Sequence, residues 1–124
     1  MKKRLAVAVS IVAVMAFAGA ALASATFTGT YRTTITTPAA VKGTWTLDFK
    51  ANGSVTVSDN GQVTANHPSV KGSTLTAPGG QNCPTVGTYK IKRAGNKLTF
   101  TVIKDTCTMG RKLILPGHTW TKVS

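Results

Sequence analysis

Glutamate is absent from the 124 residues, and aspartate occurs only three times, at Asp48, Asp59 and Asp105. Acid–base cleavage of a glycoside needs a pair of carboxylates flanking the bond, and these three fall in different segments. Asp59, between a polar strand and Asn60-Gly61, reads as a turn residue bonding nearby backbone N–H groups. Asp105 reads as a local cap or as an ion-pair partner of Arg111 or Lys104. Histidine is as scarce. His67 precedes Pro68 in a turn context and His118 opens the last apolar stretch, and neither has a cysteine or carboxylate at metal-ligand spacing. Both read as surface residues. No G-x-S-x-G, phosphate-binding loop or dinucleotide fingerprint occurs. The expectation is a protein that is not an enzyme and has no metal site and no cofactor.

Cysteine is limited to Cys83 and Cys107. Neither has a second cysteine or a histidine at zinc spacing, so an even pair in an exported chain reads as one disulfide. Helix signals are nearly missing after residue 25, which leaves strands as the expected regular structure.

The first 25 residues are a different kind of sequence. Met1-Lys2-Lys3-Arg4 is a short cationic start, and an apolar run follows from Leu5 to Ala23, broken only by Ser10 and Gly19. It ends in Ala21-Leu22-Ala23-Ser24-Ala25, which offers A-x-A cleavage after Ala23 or after Ala25. That order is a secretory signal peptide. An uncleaved anchor would need about 20 strongly apolar residues, and much of this run is alanine, with no charged stop after it. Residues 1–25 are therefore expected to be a helical signal peptide. Residues 26–124 are expected to form one domain, secreted or periplasmic, with no transmembrane segment after cleavage and monomeric.

Twelve Lys or Arg lie beyond residue 25 against the three Asp, a net charge of +9. Such a field attracts anionic polymers, membrane surfaces or acidic proteins without choosing among them.

Threonine is the commonest residue of this part, with Val, Ile and aromatics beside it, a strand composition. Apolar and polar residues alternate along Trp45, Leu47 and Phe49; along Val55 and Val57; along Tyr89 and Ile91; and along Leu98, Phe100 and Val102. One face of each run is apolar and the other carries Thr and Lys, as in an antiparallel sheet with one face in a core. Ala51-Asn52-Gly53, Asp59-Asn60-Gly61 and Ala94-Gly95-Asn96 separate the runs and read as hairpin turns. Asn52-Gly53-Ser54 also matches the N-glycosylation sequon, but the turn is reason enough for its Asn-Gly. Further strands are expected over 28–35, 62–66, 70–77, 112–115 and 118–123, with a loop over 78–82. Folding a hairpin about Ala94-Gly95 places Tyr89 near Phe100 and Ile91 near Leu98. It also brings Cys83 within about one residue of Cys107, so a disulfide would clamp the open end.

The fold class expected is all-β: a single small antiparallel up-and-down barrel of about eight strands, with a β-sandwich as the alternative. An immunoglobulin-type sandwich wants a Trp between its cysteines, whereas Trp45 precedes both. A barrel of adjacent hairpins leaves no edge exposed.

Three strands open with the same element, Gly29-Thr30-Tyr31, Gly43-Thr44-Trp45 and Gly87-Thr88-Tyr89. Gly43-Thr44-Trp45 resembles the Gly-x-Trp signature of lipocalins, the calycin β-barrels. Further on, Gly87-Thr88-Tyr89, the Lys97–Phe100 strand, Asp105-x-Cys107, Arg111 and Trp120 are similar to elements of a set of small secreted bacterial lipocalin-like proteins, in the same order, and the resemblance spans roughly residues 29–122. The resemblance implies that Trp45 closes the barrel floor and that Arg111 stacks on it, a cation–π contact. Gly43-Thr44-Trp45 stands in the second strand rather than the first, and the chain is short for a lipocalin.

Two functions follow as expectations. In the first, the interior lined by Trp45, Leu47, Phe49, Val55, Val57, Tyr89, Ile91, Leu98, Phe100 and Val102 carries a small apolar ligand, since eight strands either fill with side chains or hold one small molecule. In the second, an outer face bearing Lys90, Lys92, Lys97 and Lys104 binds an anionic surface, polymer or acidic protein. Nucleic acid is disfavoured, because stacking would need aromatics on that same face and Tyr89 and Phe100 point the other way.

Overall fold

In a computed structural model of the chain, residues 27–64, 67–80, 83–108 and 110–124 are described, so the expected signal peptide over 1–25 lies outside them. The described residues are all-β. Nine strands form one antiparallel sheet: β1 (Gly29–Ile35), β2 (Gly43–Phe49), β3 (Val55–Asp59), β4 (Gln62–Val63), β5 (Ser69–Lys71), β6 (Thr74–Ala77), β7 (Gly87–Ala94), β8 (Lys97–Lys104) and β9 (Trp120–Lys122). A 3-10 turn over Ala39–Val41 joins β1 to β2, and one short α-helix, α1 (Arg111–Ile114), precedes β9.

The order across the sheet is β4-β3-β2-β1-β9-β8-β7-β6-β5. Read round the curl, this is chain order, with the first strand meeting the last. β1 pairs with β9 through Tyr31↔Lys122 and Arg32↔Thr121, and β9 pairs with β8 through Leu98↔Trp120. The sheet is therefore an up-and-down half-barrel rather than a sandwich. Its two edges meet at one rung, where Ser54 faces Ser69. There Val55 N–H donates to the Pro68 carbonyl at 2.9 Å and Val70 N–H to the Gly53 carbonyl at 2.7 Å.

The turns explain the register. Asn60 and Gly61 both have positive φ, at 50° and 85°, which a two-residue type I′ turn between Asp59 and Gln62 requires. It is Asn60, not Asp59, whose side chain bonds backbone here: its Oδ1 accepts from Thr44 N–H at 2.9 Å. Asp59 instead pairs across from Trp45 on the inward side, and its Oδ1 is buried without a hydrogen-bond partner. Two expected strands are corrected. The 70–77 run breaks at Gly72-Ser73, where Lys71↔Thr74 closes a hairpin, and 112–115 falls in α1 and the residue after it. The β7–β8 register is two residues from the expected one, with Ile91 opposite Phe100 and Tyr89 opposite Val102. Gly95 is the first central residue of that turn rather than the second. The shift is even, so every inward side chain stays inward.

The repeated Gly-Thr-aromatic element opens β1, β2 and β7, and its three residues divide the work. The aromatics enter the core, with Tyr31 and Tyr89 at 1% and 0% exposure and Trp45 buried beside Val41, whose carbonyl its Nε1 bonds at 2.8 Å. The glycines sit where another part of the chain crosses. A Cβ at Gly43 would lie 2.5 Å from Asn60 Nδ2, and one at Gly87 would lie 2.6 Å from Asp105 Oδ2. Cys83 and Cys107 are bridged, with Cα atoms 5.5 Å apart across 24 residues. Closing such a loop is worth about 3 kcal/mol.

Candidate functional site

The inner surface of the curl is a filled core. Trp45, Leu47, Phe49, Val55, Tyr89, Ile91, Leu98 and Phe100 are buried in one cluster, and Val57 and Val102 pack half-buried against it. All ten positions expected to line a ligand cavity thus serve as core. Tyr31 and Trp120 join them, Tyr31 edge-on to Phe49 at 5.7 Å and Trp120 edge-on to Phe100 at 6.0 Å between ring centres. Each large side chain removed from water contributes about 1.5–3 kcal/mol. A crevice beside the Ser54–Ser69 rung, lined in part by Phe27, Phe49 and Val70, measures about 10 Å³, room for about one water molecule.

At the barrel end where Gly87 and Lys104 lie, a buried polar cluster ties four segments together. Arg111 Nε donates to Asp105 Oδ2 at 2.7 Å and its Nη2 to Asp105 Oδ1 at 3.1 Å. Arg111 Nη1 also donates to the Pro78 carbonyl at 3.2 Å, and Nη2 to that of Thr85. The Tyr89 hydroxyl donates to Asp105 Oδ2, and Cys107 N–H to Asp105 Oδ1 at 2.9 Å. Asp105 is thus both cap and ion-pair partner of Arg111. Burial pushes its carboxyl up, but hydrogen bonds from Arg111, Tyr89 and Cys107 outweigh this and hold it down at about 2. Burial, and then the bond to Asp105, raises the Tyr89 hydroxyl well above its usual value. The hydrogen bond to Asp105 raises Arg111 further.

The two residues that the resemblance pairs as barrel closers have the following hydrogen-bond partners. Arg111 gives its guanidinium to Asp105, Pro78 and Thr85, and Trp45 gives its N–H to Val41. A cation does cover an aromatic ring at the opposite end, where Arg93 lies 5.7 Å from the centre of buried Phe27. His67 is exposed as expected, whereas His118 is half-buried and its Nε2 lies 3.0 Å from the Leu113 carbonyl. Among the described residues no group of three His, Cys, Asp or Glu could hold a metal.

The outer face of β5–β8 is the candidate site. Lys90, Lys92 and Lys97 are exposed on it, as alternation requires. Lys90 faces Thr74 of β6, which faces Lys71 of β5, so one rung reads Lys71–Thr74–Lys90–Thr101. Lys71 lies outside the expected site residues, because a continuous 70–77 strand would not bring it to this rung and the hairpin at Gly72-Ser73 does. Lys104 reaches the face by another route. A bulge at Thr88/Tyr89 leaves Ile103 as an extra residue of β8 and sets Lys104 opposite Thr88. On the far side, Lys97 continues through Thr121 to Arg32. β5 to β9 contain no acidic residue at all. The three carboxylates lie elsewhere, with Asp105 buried and paired, Asp48 on β2 bonded to Lys50 at 3.1 Å, and Asp59 turned inward.

Fold and site define a small, basic, disulfide-bridged antiparallel half-barrel with a filled interior and a lysine–threonine outer face. No protein-family model, curated protein or solved structure matches the chain.

Proposed function

We propose that this is an exported, non-enzymatic interaction module of lipocalin-like architecture that engages an anionic partner through the outer face of β5–β8. The observation that carries this reading is the distribution of charge. Lys71, Lys90, Lys92, Lys97 and Lys104 share one face with threonines and with no carboxylate on the same strands. An un-neutralised patch of this kind raises the local concentration of anions and speeds their capture, with a strong salt dependence. The reading is also supported by the interior, where the side chains expected to line a cavity pack together as core. Export rests on the signal sequence and is consistent with the Cys83–Cys107 disulfide, which persists in oxidising compartments. No helix among the described residues is long and apolar enough to cross a membrane.

The test is binding of the disulfide-bonded protein to inorganic polyphosphate and to a teichoic-type polymer over a range of salt. Affinity falls steeply as salt rises, and the Lys90→Ala/Lys92→Ala/Lys97→Ala variant loses most of it. Each lysine near an anionic surface is worth roughly 1 kcal/mol, or about fivefold. A triple variant that binds as tightly as the parent chain, or salt-independent binding, removes the reading.

A further inference from the structure

The basic face carries two aliphatic side chains that an ordinary strand pattern would not put there. Ile103 is 57% exposed and Val86 is 56% exposed. Ile103 is the bulged residue of β8, so it and Lys104 are both exposed at one end of the hairpin. Val86 stands one residue before β7 at the same end. Its segment is tied to the chain beyond Lys104 by the Thr85 and Thr106 hydroxyls, which are 2.9 Å apart. Lys90 faces Thr101, one step along β8 from this pair, with Lys71 on the same rung.

We propose that this end of the face seats on an anionic lipid bilayer, with Lys71, Lys90 and Lys104 at the level of the lipid phosphates and Ile103 and Val86 entering between headgroups. The proposal rests on the anionic-partner reading above and names its partner. Charge complementarity selects an anionic surface. The aliphatic pair selects lipid over a soluble polyanion, because a hydrated polymer gives these side chains nothing to be buried in, whereas a bilayer interface removes their exposed area from water. Elsewhere the outward positions of β7 and β8 are held by Thr88, Ala94, Thr99 and Thr101 and by lysines, so on this hairpin the large exposed aliphatic side chains stand where lysines flank them, whereas the exposed Val63 on β4 and Val123 after β9 lie away from the lysine face.

The experiment compares sedimentation of the disulfide-bonded protein with phosphatidylcholine vesicles, with vesicles containing phosphatidylglycerol, and binding to soluble polyphosphate. The expected result is association with phosphatidylglycerol vesicles and not with phosphatidylcholine alone. The Val86→Ser/Ile103→Ser variant weakens vesicle binding about tenfold and leaves polyphosphate binding unchanged. Both residues are more than half exposed, so the variant keeps the parent melting temperature, which is measured alongside. Polyphosphate binding without vesicle binding, or a double-serine variant that binds vesicles like the parent, overturns the lipid assignment and leaves the anionic-partner reading standing. Binding to neither overturns both.

Discussion

Replacing Asp105 by Asn is the sharpest probe of how this small barrel holds its closed end. The substitution keeps the shape and removes one charge. Arg111 stays in place with a side chain only 7% exposed, against 0% for Asp105, so its guanidinium is left without a counter-ion out of water. Breaking a buried pair from one side costs about 3–5 kcal/mol, because the surviving charge is uncompensated. The Tyr89 hydroxyl and the Cys107 N–H lose a charged acceptor at the same time. A domain of this size has a total stability of about 5–15 kcal/mol, so the loss is a large fraction of it. Urea unfolding at neutral pH, followed by the fluorescence of buried Trp45 and Trp120, measures it directly. The same geometry fixes a pH dependence. A carboxyl held at about 2 when folded, against about 3.9 in an unfolded chain, adds stability that is fully present above pH ~4. That stability drains away as pH falls through about 2. Asp105→Asn should therefore flatten the acid limb of the stability profile as well as lower the plateau. A loss at neutral pH below about 1 kcal/mol, comparable with an exposed ion pair, would refute the claim that this cluster holds the end of the barrel together.

Two further perturbations test neighbouring features. Gly87→Ala places a methyl 2.6 Å from Asp105 Oδ2 and 2.9 Å from Arg111 Nε. It should cost about 1–3 kcal/mol through overpacking in urea unfolding, and the cost should shrink in an Asp105→Ala background where the methyl has room. Cys83→Ser/Cys107→Ser should lower stability by about 3 kcal/mol while leaving the far-ultraviolet circular dichroism of the sheet unchanged at low temperature. Loss of the sheet signal would mean that the bridge shapes the fold rather than clamping it.

Much of the fold was legible because alternation and turn chemistry agree. Asn52-Gly53, Asn60-Gly61 and Gly95-Asn96 each mark a turn, and the side chains inward of them are the ones the period of two selects. Where the sequence misled, a finer signal was present. Across 70–77 the apolar parity switches, from even-numbered Val70 to odd-numbered Leu75 and Ala77, and a switch in parity is what a two-residue hairpin at Gly72-Ser73 produces. The four residues of α1 are too few to display a helical period and so resemble a strand in sequence, although Pro116 directly after Leu115 suits a helix end. The two-residue error in the β7–β8 register came from centring the turn on Ala94-Gly95, whereas a glycine at the first central position specifies a type II′ turn. Tyr89 is a core aromatic by its spacing, and its buried hydroxyl also needs an acceptor, which Asp105 supplies. The bulge at Ile103 left no trace in the pattern, since an isoleucine following Val102 continues a strand as well as it interrupts one.

The filled interior and the lysine face follow from one constraint. A sheet of nine short strands encloses little volume, and here Trp45, Trp120, Tyr31, Tyr89 and Phe100 occupy it. With the inward positions taken up by core packing, the proposed anion recognition falls to the outward half of the alternation. That half is threonine and lysine, and its carboxylates have been spent elsewhere: Asp105 holds Arg111 inside, Asp48 is neutralised by Lys50, and Asp59 faces Trp45. Lysine at outward and edge positions also discourages strand-to-strand aggregation, and that role alone would account for scattered lysines. It does not account for their gathering on β5, β7 and β8 while β3, β4 and β6 carry none, nor for an exposed isoleucine beside them. If blocking edges were the whole purpose, Lys90→Gln/Lys92→Gln would raise aggregation and leave anion binding untouched. A recognition face predicts the reverse, because lysines in mid-sheet at paired positions guard no edge.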